Sequence, residues 1–478
     1  MKIKMLRRNF FLGLCALAFL FLAQTSAHAQ AGNDLALLDV MVTQAVNDEP
    51  LILNKQTVVR VVAQAAAATD ARVTVEFDGR TFTQTKRVET TPTNADVFVG
   101  APQNFQTQTV RVQLDATDEQ PDADVSNNTR TLTLPMVKPN EKIVAYFLPV
   151  DWTEEQRARY NFTENFPRFV RENATYLQAA YPVSDDQIAV DWTNVPHMLA
   201  ANEKSLSNNQ GDFDAISSHL LYASISLAAR RLKPEATLVV GVFPPGWFAA
   251  HGNKSALGLA LADVKGTVTA QYVLTDATTS AHELAHLYWM YEDYDYSIKP
   301  SRPYTWLDRS GYFVQKQVPQ DISNNQKIPT FLSAYSPERP SWVDTRAYEY
   351  LMAKFTIESG GQVTEPMILA ATMSRQVEPD GKNFPSDYSA GYQRFEPKQT
   401  VYVAIGAAGM RGGENLEARW FQRDSQVFKE NKTLTAGNAW YAFAVRNRNG
   451  MPQDMYRVEI YLDGKLVKTS TFEVKSSQ

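Results

Sequence analysis

Apolar and polar positions follow three successive rhythms along this chain. Between Leu35 and about Pro135 they alternate in short runs broken by turn residues: Thr57 to Val62, Arg72 to Phe77 ahead of Asp78-Gly79, Thr109 to Leu114 and Thr129 to Leu134. Alternation puts successive side chains on opposite faces of a strand, and no helical period competes, so this part predicts a β-sandwich. Near Lys138 the rhythm changes. Ile143 to Val150 is apolar throughout, as a strand covered on both faces must be. A helical stretch from about Thr153 to Ala180 follows, then a strand at about Gln187 to Trp192, a helix from about Phe213 to Leu232 and the apolar strand Ala236 to Phe243. Strands alternating with helices predict an α/β domain. Gly258-Leu259-Ala260 and Thr267 to Leu274 read as further strands, and the polar stretch Ser297 to Thr330 reads as a long loop. From about Gly361 short strands return at Thr400 to Ile405, Leu416 to Phe421, Trp440 to Val445 and Tyr456 to Leu462, with Asp463-Gly464 as a hairpin turn into Lys465 to Val474.

The first 29 residues follow none of these rhythms. Lys2, Lys4, Arg7 and Arg8 precede the apolar run Phe10 to Ala23, and Ala27-His28-Ala29 offers a small-x-small cleavage site, the pattern of a secretory signal. The run is too short for a stable membrane span, and Leu14 ahead of Cys15 does not suit a lipoprotein box. Cleavage removes the only cysteine, so the exported chain is expected to hold together by core packing and metal rather than disulfides. It also turns 47 basic against 52 acidic residues into 43 against 52, a net charge of −9. An acidic chain without basic runs argues against nucleic acid or an anionic membrane as partner.

One stretch carries chemistry. In His282-Glu283-Leu284-Ala285-His286 the two histidines stand one helical turn apart, about 6 Å along the axis, so both imidazoles reach one zinc ion while Glu283 lies beside them as a general base. The competing reading is a surface helix in which Ser280 and Glu283 form a capping box. Against it, Asp276 and Thr278 offer earlier caps, and Leu284, Ala285 and Leu287 give the helix a side to bury. His197, His219 and His251 have no partner at ligand spacing and read as structural residues. Asp122 and Asp124 read as a solvated turn, with calcium binding as the alternative.

The run His282 to Asp295 resembles the signature of the immune inhibitor A family of secreted bacterial metallopeptidases, with Glu292, Asp293, Tyr294 and Asp295 matching in kind. The resemblance implies a metzincin-like arrangement, in which the third zinc ligand comes six residues after the second histidine, here Glu292; Asp293, Asp295 or a more distant residue stay open as alternatives. Metzincins place glycine where Trp289 stands. A continuous helix would carry Glu292 roughly 9 Å beyond His286, so the helix must break near Trp289 without glycine, proline or asparagine to help it. Thr330 to Tyr335, followed by Pro340 to Asp344, is similar to the Met-turn of such peptidases, with Leu332 at the methionine position. That likeness implies Tyr335 as an oxyanion donor; a plain core tyrosine is the other reading. Asp122 to Asn128 with its following strand resembles the close of CARDB-type adhesion modules, and the spacing of the first strands suits an immunoglobulin-like sandwich.

The expectation is a multidomain protein: a signal peptide at residues 1–29, an Ig-like (CARDB-like) β-sandwich at 30–138, a metzincin-like α/β zinc peptidase domain at 139–360 and a C-terminal Ig-like β-sandwich at 361–478. It is expected to be an exported monomer, secreted or periplasmic, hydrolysing protein, peptide or glycoprotein substrates with water activated by Zn2+ and Glu283 as base. Ca2+ is the second metal considered. The rival readings are an adhesion or scaffold protein with a non-catalytic zinc domain, and a zinc hydrolase of a non-protein amide.

Overall fold

A computed structural model describes residues 34–117, 124–201, 204, 215–251, 258–260, 266–272, 277–291, 306–322, 327–332, 341–378, 382–385, 388–389 and 394–476. The signal segment, Asp122, Glu292, Asp293, Asp295 and Tyr335 lie outside them. Strands dominate, and the longer helices are confined to the middle of the chain.

The first unit stacks a three-stranded sheet, built from Leu35–Thr43, Val58–Ala65 and Thr93–Phe98, on a four-stranded one built from Arg80–Val88, Thr69–Phe77, Gln108–Ala116 and Thr129–Leu134. Thr69–Phe77 alternates buried with exposed residues, and its inward side chains Ala71, Val73, Val75 and Phe77 meet Val59, Val61, Val110 and Val112 in one core. Asp124 caps the turn Val125–Asn127, accepting from Ser126 N at 2.9 Å.

The middle unit is a five-stranded sheet between helical layers. Its elements are β1 (Ile143–Pro149), α1 (Glu154–Arg159), α2 (Phe162–Ala180), β2 (Ile188–Trp192), α3 (Ala215–Leu232), β3 (Leu238–Phe243), β4 (Gly258–Ala260), β5 (Thr267–Gln271) and α4 (Thr278–Leu287). The helix expected from Thr153 to Ala180 is two helices, because Asn161 takes a left-handed φ of 45° between them. The strand order is β2-β1-β3-β5-β4, parallel except for β4, which runs antiparallel to β5 at the edge. One face of the sheet packs on Phe166, Phe169 and Leu177 of α2 and Ala281, Leu284 and Ala285 of α4; the other meets Leu221, Tyr222 and Ile225 of α3. Every residue of β1 and β3 is buried, as covering on both faces requires.

Beyond α4 come β6 (Met290–Tyr291), β7 (Gly311–Phe313), β8 (Val318–Gln320) and α5 (Thr345–Ile357). The β7–β8 hairpin lies within the stretch expected as a loop. Its job is docking: Tyr312 N donates to Ala45 O at 2.9 Å, and Trp342 Nε1 donates to the same oxygen at 3.0 Å. At Gly311 a Cβ would stand 2.2 Å from Ala45 O, so the approach requires glycine.

The last unit contains β9 (Met367–Ser374), β10 (Tyr388–Ser389), β11 (Val401–Met410) and β12 (Gly437–Val445). The sheet β9-β11-β12 stacks on a five-stranded sheet running from Arg394–Phe395 through Lys465–Val474, Asp454–Leu462 and Asn415–Gln422 to Ser425–Thr433. Val403, Ile405, Trp420, Val458 and Phe472 centre its core. Leu51–Ile52, Met136–Lys138 and Gln362–Val363 pair into one small sheet, so segments from three parts of the chain are stitched together where its rhythm changes.

Candidate metal centre

Helix α4 begins at Thr278 with Ala277 at its N-cap position and no side-chain cap, so Ser280 is the third helical residue and the capping-box alternative fails. Glu283 instead lies inside the helix and is buried. Leu284, Ala285 and Ala281 turn inward, which is the face that the apolar spacing marked. Tyr181 on the neighbouring helix end donates its hydroxyl to Ala281 O at 2.7 Å, which anchors the middle turn of α4.

His282 and His286 stand side by side, with ring centroids 4.8 Å apart and planes at 87°. Two imidazoles sharing a tetrahedral zinc at a Zn–N distance of about 2.1 Å have centroids about 5 Å apart. Each ring is held through Nδ1: that of His282 donates to Phe331 O at 2.7 Å, and that of His286 to Met290 O at 2.6 Å. Both carbonyls act only as acceptors, so they fix the proton on Nδ1 and the lone pair on Nε2, the tautomer a metal-binding histidine needs. The donor set therefore fits a zinc ion as far as two ligands. Among the described residues no group of three or more His, Cys, Asp or Glu side chains stands together around a metal position, and the acids from Glu292 to Asp295 lie outside them.

The carbonyl of Met290 reaches His286 because the helix ends abruptly. Tyr288 N and Trp289 N fold back to Ala285 O and His286 O at 3.0 and 3.1 Å, and Trp289 adopts φ 67°, the left-handed value that glycine usually supplies after a helix. For a residue with a Cβ this costs roughly 1–2 kcal/mol. Tyr350 hydroxyl donates to Tyr288 O at 2.7 Å, and the Tyr288 ring packs on Phe355 with centroids 4.8 Å apart, contacts that hold the turn against this cost. The phenol of Tyr288 is pushed up by burial and by the Glu141 carboxyl that it meets, so it stays protonated.

Glu283 faces the sheet edge. A Cβ on Gly258 would stand 2.7 Å from Glu283 Cγ and Oε1 and 2.8 Å from Thr279 Cγ2, so the edge strand β4 passes directly over the carboxylate. Tyr222 from α3 donates to Leu259 O at 2.7 Å and fixes that strand. Burial chiefly, helped by the charge of Glu283, pushes this phenol well above its usual range and keeps it a donor. Beneath His282, Phe331 carries the accepting carbonyl and Leu332 is fully buried in the same core as α4. His197 pairs with Ser224 Oγ at 2.8 Å, and His251 stacks on Trp247 with centroids 4.0 Å apart.

Several of these contributors carried no readable sequence signal. The carbonyls of Phe331 and Met290 are backbone atoms, and Tyr222 and Tyr350 look like ordinary core tyrosines until the fold joins them. Gly258 stood within a readable strand, where a glycine signals close approach.

No protein-family model matches the chain, and no curated protein matches it. Among solved structures, it is similar to wild-type OgpA from Akkermansia muciniphila at 10% identity, over 71% of this chain and 94% of that one, with a TM-score of 0.27. It is likewise similar to catalytically inactive OgpA in complex with an O-glycopeptide (glycodrosocin) substrate, at 10% identity over 71% and 95%, with a TM-score of 0.26. The CARDB domain of a Pyrococcus furiosus protein, in complex with di-metal ions, is 13% identical over 23% of this chain and 92% of its own, with a TM-score of 0.18.

Proposed function

We propose that this protein is an exported zinc metallopeptidase whose metzincin-like middle domain, residues 139–360, is flanked by β-sandwiches at 30–138 and 361–478 after a signal at 1–29. The observation that carries the reading is the pair of imidazoles at 4.8 Å, each with Nδ1 on a backbone carbonyl, next to a buried carboxylate at a sheet edge. His282 and His286 hold the metal with Glu292 as third ligand, Asp293 and Asp295 being its alternatives. Zinc bound there supplies a Lewis acid and a water of lowered pKa, about 7 in catalytic zinc sites. Glu283 accepts the proton of the attacking water and delivers it to the leaving amine. Tyr335 donates to the developing oxyanion. The edge strand β4 receives an extended substrate by backbone pairing, which suits proteins, peptides or glycopeptides rather than compact small molecules.

Zinc analysis of the purified chain tests the metal half of the reading. The parent is expected to carry close to one zinc and His282→Ala almost none, with cleavage of a denatured protein lost on chelation and restored by zinc. Equal zinc in both would contradict the assignment.

A further inference from the structure

The last β-sandwich reaches the candidate metal centre at two points. The backbone of β6, the two residues that follow the left-handed turn at Trp289, pairs in parallel with β10, so that Met290 lies opposite Tyr388 and Tyr291 opposite Ser389. Strand β10 belongs to the connection between β9 and the rest of the C-terminal sandwich. The second point is Tyr350 of α5, fully buried, whose hydroxyl holds Tyr288 O at 2.7 Å. Its ring lies 6.2 Å from Phe384 and 6.0 Å from Trp440 of the C-terminal unit, and those two rings meet edge to face at 5.8 Å. The amine of Lys354, one turn further along α5, lies 3.9 Å over the Phe384 ring.

Both lines of contact end on one turn, Tyr288 to Tyr291, whose Met290 carbonyl orients His286 at 2.6 Å. That turn has a residue in the left-handed region and no glycine. It therefore needs support from outside, and Tyr350 provides it at Tyr288 and β10 at Met290 and Tyr291.

We propose that the C-terminal β-sandwich is part of the metal centre, with Tyr350 a positioning residue that sets the orientation of His286 through the Tyr288–Tyr291 turn. The inference rests on the zinc-site reading above. Loss of an outer partner of a metal-bound histidine typically weakens metal affinity 10–100-fold; Tyr350 acts one step further out, so about 10-fold is expected.

The test uses the full chain. Zinc affinity is measured by chelator competition, and the visible spectrum is recorded after cobalt substitution, for the parent, Tyr350→Phe, Phe384→Leu, Phe472→Leu and His286→Ala. Tyr350→Phe keeps the ring and removes one hydroxyl; Phe384→Leu loosens the same contacts from the C-terminal side. Both are expected to weaken zinc binding, by about 10-fold and severalfold respectively, to alter the cobalt bands, and to lower kcat with little change in KM. Phe472→Leu, in the core of the sandwich beside Trp420 and Tyr456, is expected to lower the unfolding midpoint without touching affinity or spectrum. Unchanged zinc affinity in Tyr350→Phe, or an equal loss in Phe472→Leu, overturns the positioning role. Parent-like zinc binding by His286→Ala would instead overturn the site itself, whatever Tyr350 does.

Discussion

Trp289 is where a single residue decides the geometry of the candidate centre. Its φ of 67° turns the chain so that the next carbonyl returns to His286, a task usually given to glycine. The side chain is 38% exposed, so more than half of the indole surface is buried and that burial is lost when it is removed. Relief of the left-handed strain, roughly 1–2 kcal/mol, and glycine's entropy cost of about 0.5–1 kcal/mol nearly cancel. Trp289→Gly is therefore expected to keep its zinc and to lose about 2–4 kcal/mol in chemical denaturation, chiefly from the lost burial of the indole. Trp289→Val places a β-branched side chain in the same region and is expected to lose more stability and to bind zinc less tightly. If valine were tolerated as well as glycine, the left-handed turn would not be what supports the site.

At the scale of elements, the helix and strand that frame the site were readable and their closeness was not. The histidine spacing and the inward Leu284 and Ala285 marked α4, and the need for a break near Trp289 followed from the reach of a helix. What a sequence does not display is which strand lies over Glu283. Gly258 reveals it, since a Cβ there meets Glu283 and Thr279 below 3 Å. Thr279 is β-branched and stiff, so Gly258→Ala is expected to cost about 1–3 kcal/mol by overpacking and to cut cleavage by displacing the carboxylate, with zinc content unchanged. Thermal unfolding and metal analysis of that variant check both parts; full activity would mean that β4 does not confine Glu283. The β7–β8 hairpin was missed because its strands are three residues each, and Pro319 and Gln320 sit among polar neighbours. Its order comes from docking on Ala45, a tertiary contact that no local pattern encodes. Ser425–Thr433 escaped for a related reason: it is an exposed edge strand with almost no buried residue to set an alternation.

Across the whole molecule the three units meet through buried charge as well as strands. Glu49, from the first sandwich, lies 2.7 Å from Arg309 and within 4.0 Å of Lys468 of the last one, which also pairs with Glu349 of α5. Two cations face Glu49, yet burial first and the neighbouring Glu349 carboxylate second outweigh them and raise its pKa from 4.5 to about 7. The native state therefore holds a proton there that the unfolded chain releases. This contribution to stability is fully present below pH 4.5 and fades as pH rises through about 7. The pKa of Lys468 is raised too, since burial pulls it down but Glu349 and Glu49 together outweigh burial, so its contribution has the same sign, persists through this range and is lost only at alkaline pH. Unfolding midpoints between pH 5 and 8 are expected to fall more steeply for the parent than for Glu49→Gln, which cannot titrate. Parallel curves would show that Glu49 is ionised throughout.

The central claim is that His282, Glu283 and His286 form a working hydrolytic centre rather than a metal clip. Cleavage of a denatured protein by the parent and by Glu283→Gln, compared at equal measured zinc content, tests it most directly. Removing a general base typically costs 10²–10⁴-fold, so the variant is expected to keep its zinc and lose at least about 100-fold in rate. Equal cleavage by both proteins, or none by the zinc-loaded parent, would contradict the account.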